Sequence, residues 1–246
     1  MNTQPHTNSK LIGVLLITGT IALFIPYTIL INTFSYPDIL RQDTATILNA
    51  FHKGGSKLIW TWFAFAFTGL PLLPAYILIG ENLKEKTSLV KVATVFGVIG
   101  LIVQMIGLLR WTFVVPVLAN SFVHATDEVT RAASIVAFKT IHQFAGVLLG
   151  EHMGQSFTII WTVMISIALQ QSKAIPSWVS YFAYAASGIY ILAQAELFAT
   201  VIPFFPMWDA AGFLGSSLWL LWMIILGVCY LRFDKMFADV DHLTTI

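Results

Sequence analysis

Four ionisable residues stand inside long apolar stretches of this chain: Arg110, Glu151, His152 and Glu196. A charged side chain near the centre of a membrane helix costs about 2.5–3.5 kcal/mol on insertion scales. The three formal charges among them would together cost on the order of 10 kcal/mol if unpaired. They must therefore be paired, hydrated or neutralised. One arginine facing two carboxylates and an imidazole leaves a surplus acidic group. That group can stay protonated, hold a cationic or hydrogen-bonding ligand, or relay a proton. Gln155, Trp111, Gln194 and Asp209 are secondary ligand-binding candidates, close in sequence or at the same expected depth. These residue types assign no catalytic role.

The elements that position them are dictated by composition. Of 246 residues, 57% are hydrophobic and 10% charged, with a mean hydropathy of +0.80. A soluble domain carries about 25% charged residues. A soluble enzyme is excluded, and a net charge of +1 without a basic run argues against nucleic acid as a partner. A single cysteine, Cys229, excludes an internal disulfide framework and a cysteine-based zinc site. The chain reads as an all-α polytopic bundle, one integral-membrane domain over residues 1–246, with the lipid bilayer as its first partner. Six transmembrane helices are expected over about 11–34, 58–80, 89–122, 134–169, 176–204 and 209–231, since a span needs about 20 apolar residues. The third and fourth reach about 50 Å and should tilt or project. Pro71 and Pro74 should kink the second. The polar start MNTQPHTNSK lacks the features of a cleaved signal, so the apolar run after Lys10 is kept as a span. No transporter-type internal repeat is visible.

Lys and Arg accumulate on the cytoplasmic side of membrane proteins. Lys10, Lys84, Lys86, Lys91, Lys173, Arg232 and Lys235 fall on one side, against Arg41, Lys53, Lys57, Arg131 and Lys139 on the other. Both termini are therefore expected in the cytoplasm, in a bacterial inner (cytoplasmic) membrane. The longest outer connection begins Ser35-Tyr36-Pro37-Asp38, a plausible helix start. Ile39, Leu40, Ile47, Leu48 and Phe51 recur at helical spacing, which predicts an amphipathic extramembrane helix over about 37–52, ended by Gly54-Gly55. Trp60, Trp62, Trp178 and Trp208 lie near span ends and fit interfacial belts. In this topology Arg110 and Glu196 sit roughly 28–30 Å from the inner boundary. Glu151, His152 and Asp209 then share their level, in the outer half.

At about 100° per residue, with His142 at zero, Glu151 falls near 180°, Gln155 near 220° and His152 near 280°. Gly146, Gly150 and Gly154 fall between about 40° and 120°. A small-residue stripe of this kind packs against a neighbouring helix or a second copy of the chain. The opposite face would present Glu151, His152 and Gln155. His142 and His152 are about 15 Å apart along one helix and cannot share a metal ion. No metal or cofactor is predicted. Haem held by His142 with His52 or His124 is left open, because no spacing demands it. His142 and His124 read as histidines at headgroup level.

LLRWTFVVPVLA (108–119), IHQFAGVLLGEHMGQSFTIIWT (141–162), the Ile175-Pro176-Ser177-Trp178 opening and SSLWLLWMIILG (216–227) resemble a bacterial multi-pass inner-membrane family catalogued only as a domain of unknown function. The resemblance implies a six-span α-helical fold and brings no reaction, substrate or cofactor. Three functions are compatible. The first is a protein with a polar pocket in the outer half of the bundle, lined by Arg110, Glu151, His152 and Glu196, that binds or moves a small ligand or proton. The second is a membrane redox or hydrolytic enzyme with histidine-held haem or metal. The third is a structural or accessory subunit.

Overall fold

Backbone N–H and C=O groups in hydrocarbon must be satisfied within their own segment, so apolar stretches of this length fold as helices. The computed structural model describes residues 6–84, 87–173 and 175–243, with side chains over 9–84, 87–173 and 175–232. Lys86, the side chain of Lys235 and the first five residues of the polar start lie outside these. All regular elements among the described residues are helical. They are α1 (His6–Phe34), a short 3-10 turn (Asp38–Arg41), α2 (Thr44–Phe67), α3 (Leu72–Leu83), α4 (Leu89–Phe113) and α5 (Val115–Val123). Then follow α6 (Glu128–Ile141), a π-helical segment (His142–Met153), α7 (Gly154–Ser172), α8 (Ser177–Leu192), α9 (Gln194–Ala199) and α10 (Ala211–Leu243). Six stretches are long and apolar enough to cross a membrane: Ser9–Phe34, Thr44–Leu83, Leu89–Val123, Glu128–Ser172, Ser177–Ala199 and Ala211–Arg232. The chain is a multi-pass membrane protein.

Local chemistry sets the breaks. The amphipathic helix begins at Thr44 rather than near residue 37, because Asp43 is the better cap. Its carboxylate accepts from Thr46 N at 3.0 Å, whereas Pro37 precedes only the 3-10 turn and caps nothing with its side chain. Gly55 ends the helix where expected, at φ 57° and ψ −152°, a conformation open to glycine. Helical geometry then resumes into the membrane stretch. Pro71 stands at the start of α3, so the second stretch is broken at the proline foreseen. Asp127 caps α6 as Asp43 caps α2, accepting from Thr130 N at 2.8 Å. This lengthens the fourth stretch beyond its expected start at Ser134.

The chain divides into two compact units. The first comprises the chain up to Thr20, Leu70–Leu101 and everything from Gln155 onward; the second comprises Ile21–Gly69 and Ile102–Gly154. In the first unit, α8 and α10 pack together. Trp222 Nε1 donates to Val179 O at 3.1 Å, and Trp219 Nε1 donates to the Thr162 hydroxyl at 3.0 Å.

The second unit is built on an aromatic core. Trp62 and Trp111 stack at 4.9 Å and 12°, and Phe51 stacks on Trp111 from the amphipathic part of α2. Ile39, Ile47, Leu48 and Phe51 are all buried in this core, so the amphipathic segment caps its own unit. Trp62 is wholly buried and does not join an interfacial belt, whereas Trp60, Trp178 and Trp208 stay about half exposed. The neighbouring Trp111 face explains the difference, since burying both indoles removes a large apolar area from lipid and water.

Candidate functional site

Arg110 stands in the last turn of α4 and is 6% exposed. Its guanidinium spends one donor on Gly107 O, in its own helical turn, and lies 5.1 Å over the Trp111 ring. Its Nε is buried without a hydrogen-bond partner, and among the described residues Arg110 makes no ion pair. The guanidinium fits because position 146 is glycine. A Cβ there would stand 2.5 Å from Nη2 and 2.7 Å from Cζ. One step further along, a Cβ on Gly107 would meet Gly150 Cα at 2.7 Å, and one on Gly154 would strike Gln104. The glycine stripe is thus met within the chain by α4, at Gln104, Gly107 and Arg110.

The π-helical segment explains why this arrangement departs from the sequence expectation. Closure by i→i+5 bonds widens a turn to about 4.4 residues. At that pitch the nine steps from His142 to Glu151 make about two turns, in keeping with Arg41 lying within electrostatic reach of His142 and pairing with Glu151. Arg110 lies against Gly146 and within electrostatic reach of His142 and Glu151.

His142 is packed inside the second unit. Its ring stacks on Phe138 at 5.3 Å and meets the edge of Trp111 at 6.1 Å. Both ring nitrogens are buried without partners, with Arg110 and Arg41 within electrostatic reach. A neutral imidazole carries one donor and one acceptor, so both capacities stand unused.

Glu151 pairs with Arg41, from the 3-10 turn, at 3.1 Å, and not with Arg110. The two side chains are 33% (Arg41) and 22% (Glu151) exposed, so this pair reaches the protein surface, whereas Arg110 is buried. Tyr36 completes the cluster, with Glu151, Arg110 and Arg41 all acting on its phenol. Burial pushes that phenol well above its ordinary value; Glu151 adds to the rise and Arg110 and Arg41 oppose it. Tyr36 is consequently a neutral hydroxyl at physiological pH. Within the second unit the Glu151 carboxylate is held by Arg41, and among the described residues Arg110 has no ion pair of its own.

The eight candidate residues divide between the units. Arg110, Trp111, Glu151 and His152 belong to the second, with His152 half-buried near the end of the π-helical segment. Gln155, Gln194, Glu196 and Asp209 belong to the first. There Gln194, buried at the start of α9, donates through Nε2 to Gln155 Oε1 at 2.8 Å. Glu196 lies in the first turn of α9, and a Cβ on Gly212 would stand 3.9 Å from its Oε2. That places the carboxylate beside the opening turn of α10, where backbone N–H groups favour negative charge. Asp209 is exposed. His52 and His124 face each other edge to face at 5.2 Å, and His124 Nδ1 lies 3.0 Å from Asn120 O. No group of three or more metal-ligating side chains occurs among the described residues.

The sequence offers no signal that marks Tyr36, Arg41 and His142 as members of this cluster. Tyr36 stands in a helix-start pattern and Arg41 counts only as an orientation charge. The α-helical angle sets His142 opposite Glu151, and a π-helical run has no simple sequence signal. Neither the curated proteins nor the solved structures yield a match to this chain. Residues 11–227 do match a family, described as a domain of unknown function (DUF4386). With that match covering all six apolar stretches almost entirely, and with the helical membrane architecture in agreement, the chain belongs to the DUF4386 family.

Proposed function

We propose that this protein binds a small polar ligand, or a proton, at the buried cluster of its second unit, and lies in the inner membrane with both termini cytoplasmic. Arg110 is the anchor. Tyr36 and His142 supply further hydrogen-bonding groups, Trp111 forms a wall, and the Arg41–Glu151 pair stands at the solvent-reaching side. One observation carries the reading: a nearly fully buried guanidinium without a counter-ion sits beside an imidazole with two unused nitrogens. Buried polar groups in native proteins are satisfied, by protein, water or ligand. A structural ion pair would have satisfied Arg110 with Glu151; here that carboxylate is engaged elsewhere.

The positive-inside distribution of lysines and arginines supports the orientation. The amphipathic segment of α2 covers the aromatic core beside the cluster, as a cover over a binding site would. A thermal-shift survey of small polar solutes and of pH, on purified protein and on Arg110→Met, tests the proposal. A solute or proton that stabilises the parent protein and leaves the variant unmoved is expected. If no solute or pH change separates the two proteins while both stay folded, Arg110 serves only packing.

A further inference from the structure

We infer that the ligand of this cluster is an anion, a carboxylate- or phosphate-type oxyanion or a halide, received by Arg110. This rests on the binding reading above and adds the chemical class. The Glu151 carboxylate is held by Arg41 at 3.1 Å, and among the described residues Arg110 has no ion pair. The remaining cation is Arg110, 6% exposed in a membrane stretch, where an uncompensated charge is costly. Guanidinium is never deprotonated in proteins, so shedding the proton is no escape. Its remaining remedy is a counter-charge.

The unused hydrogen-bonding groups point the same way. Arg110 Nε is a donor without an acceptor, and so is Trp62 Nε1, from the indole stacked on Trp111. His142 offers a further donor from one of its two unpartnered nitrogens. The Tyr36 hydroxyl stays protonated and within electrostatic reach of Arg110. An environment rich in donors and short of acceptors suits a ligand that brings only acceptors. A cation would have to face Arg110 with the Glu151 carboxylate already occupied. A planar oxyanion matches the guanidinium fork, through charge-assisted hydrogen bonds stronger than neutral ones. Gly146 keeps the fork in place, since any side chain there would displace it. A free anion and the headgroup of an acidic phospholipid present the same chemistry, and the experiment separates them.

The test uses the full chain purified in a neutral detergent. Thermal unfolding is followed as sodium gluconate, chosen as a bulky anion that a buried site would exclude, is replaced by sodium acetate, phosphate or bromide at fixed ionic strength, and separately as sodium is replaced by choline. A parallel series uses nanodiscs of phosphatidylcholine with and without phosphatidylglycerol. A saturable rise in unfolding temperature with acetate, phosphate or bromide identifies a free anion. A rise with phosphatidylglycerol alone identifies the headgroup. In either case Arg110→Lys should bind about tenfold more weakly, having lost the planar fork, and Arg110→Met should not respond. Stabilisation by choline, sodium or a neutral solute that Arg110→Met abolishes would overturn the anion and leave the binding reading standing. No response to any probe or to pH would overturn both. Should Arg110→Met fail to fold, the Arg110→Lys shift decides: an unchanged anion response in that folded variant also overturns the inference.

Discussion

At the scale of single residues, the account turns on how Glu151 is shared. It holds Arg41 at 3.1 Å and acts on Arg110 and Tyr36 at longer range. Arg41→Gln releases that carboxylate to Arg110, the nearest remaining cation of the cluster. The anion response of the parent protein should then weaken about tenfold or more, as the buried charge acquires an internal partner. Glu151→Gln should act in the opposite direction and tighten anion binding, because Arg110 loses the one negative charge acting on it. A titration of acetate on each variant reads both outcomes. Packing makes an independent prediction. A methyl group on Gly107 would meet backbone atoms, Gly150 Cα at 2.7 Å and Ala145 O at 2.9 Å, which cannot yield as a side-chain tip can. Gly107→Ala should cost about 1–3 kcal/mol in an unfolding titration, as overpacking does. Gly188 is the control, with nothing within 4 Å of its added Cβ on the exposed side of α8. Gly188→Ala should stabilise by about 0.5–1 kcal/mol, because glycine in a helix interior is entropically costly.

At the scale of elements, two aspartate caps fix where helices start, and both are pH-sensitive. Hydrogen bonds from Thr46 hold the Asp43 carboxyl below its ordinary value of 3.8, and those from Thr130 do the same for Asp127. A carboxyl depressed in the folded state contributes stability above its unfolded value, and that contribution is lost as pH falls through the folded value. Asp43→Asn keeps an acceptor that does not titrate. The parent protein should therefore lose stability relative to this variant only below about pH 3.8, as thermal melts at successive pH values would show. Legibility also divides at this scale. The six apolar stretches, the break at Gly55 and the break near Pro71 were readable because length, hydropathy and backbone permission are local properties. The two caps are readable in principle, as Asp-x-x-Thr before an apolar run, yet in the 35–56 connection Ser35-Tyr36-Pro37-Asp38 competes as a helix start. The π-helical segment was not readable. Its sequence, HQFAGVLLGEHM, has an ordinary α-helical composition, and the segment lies against α4 through Gly146 and Gly150. The α-helical angle therefore sets His142 and Glu151 on opposite faces, whereas Arg41 pairs with Glu151 and acts on His142.

At the scale of the whole molecule, the proposed orientation rests on a slight excess of basic residues, and labelling tests it. In a Cys229→Ala background, a cysteine at Gln42 should react with a membrane-impermeant maleimide on intact cells, while one at Thr87 should react only after lysis. The reverse pattern would invert the topology without disturbing the site, since the cluster moves with the helices that carry it. The central claim is that Arg110 is a buried cation left without a protein counter-ion and is neutralised by a bound anion. An anomalous difference map from crystals of the full chain grown in bromide addresses it most directly. The account predicts a peak within hydrogen-bonding distance of the Arg110 guanidinium, with Glu151 still turned to Arg41. A map without density there, in which the Glu151 carboxylate has moved onto Arg110, would contradict it.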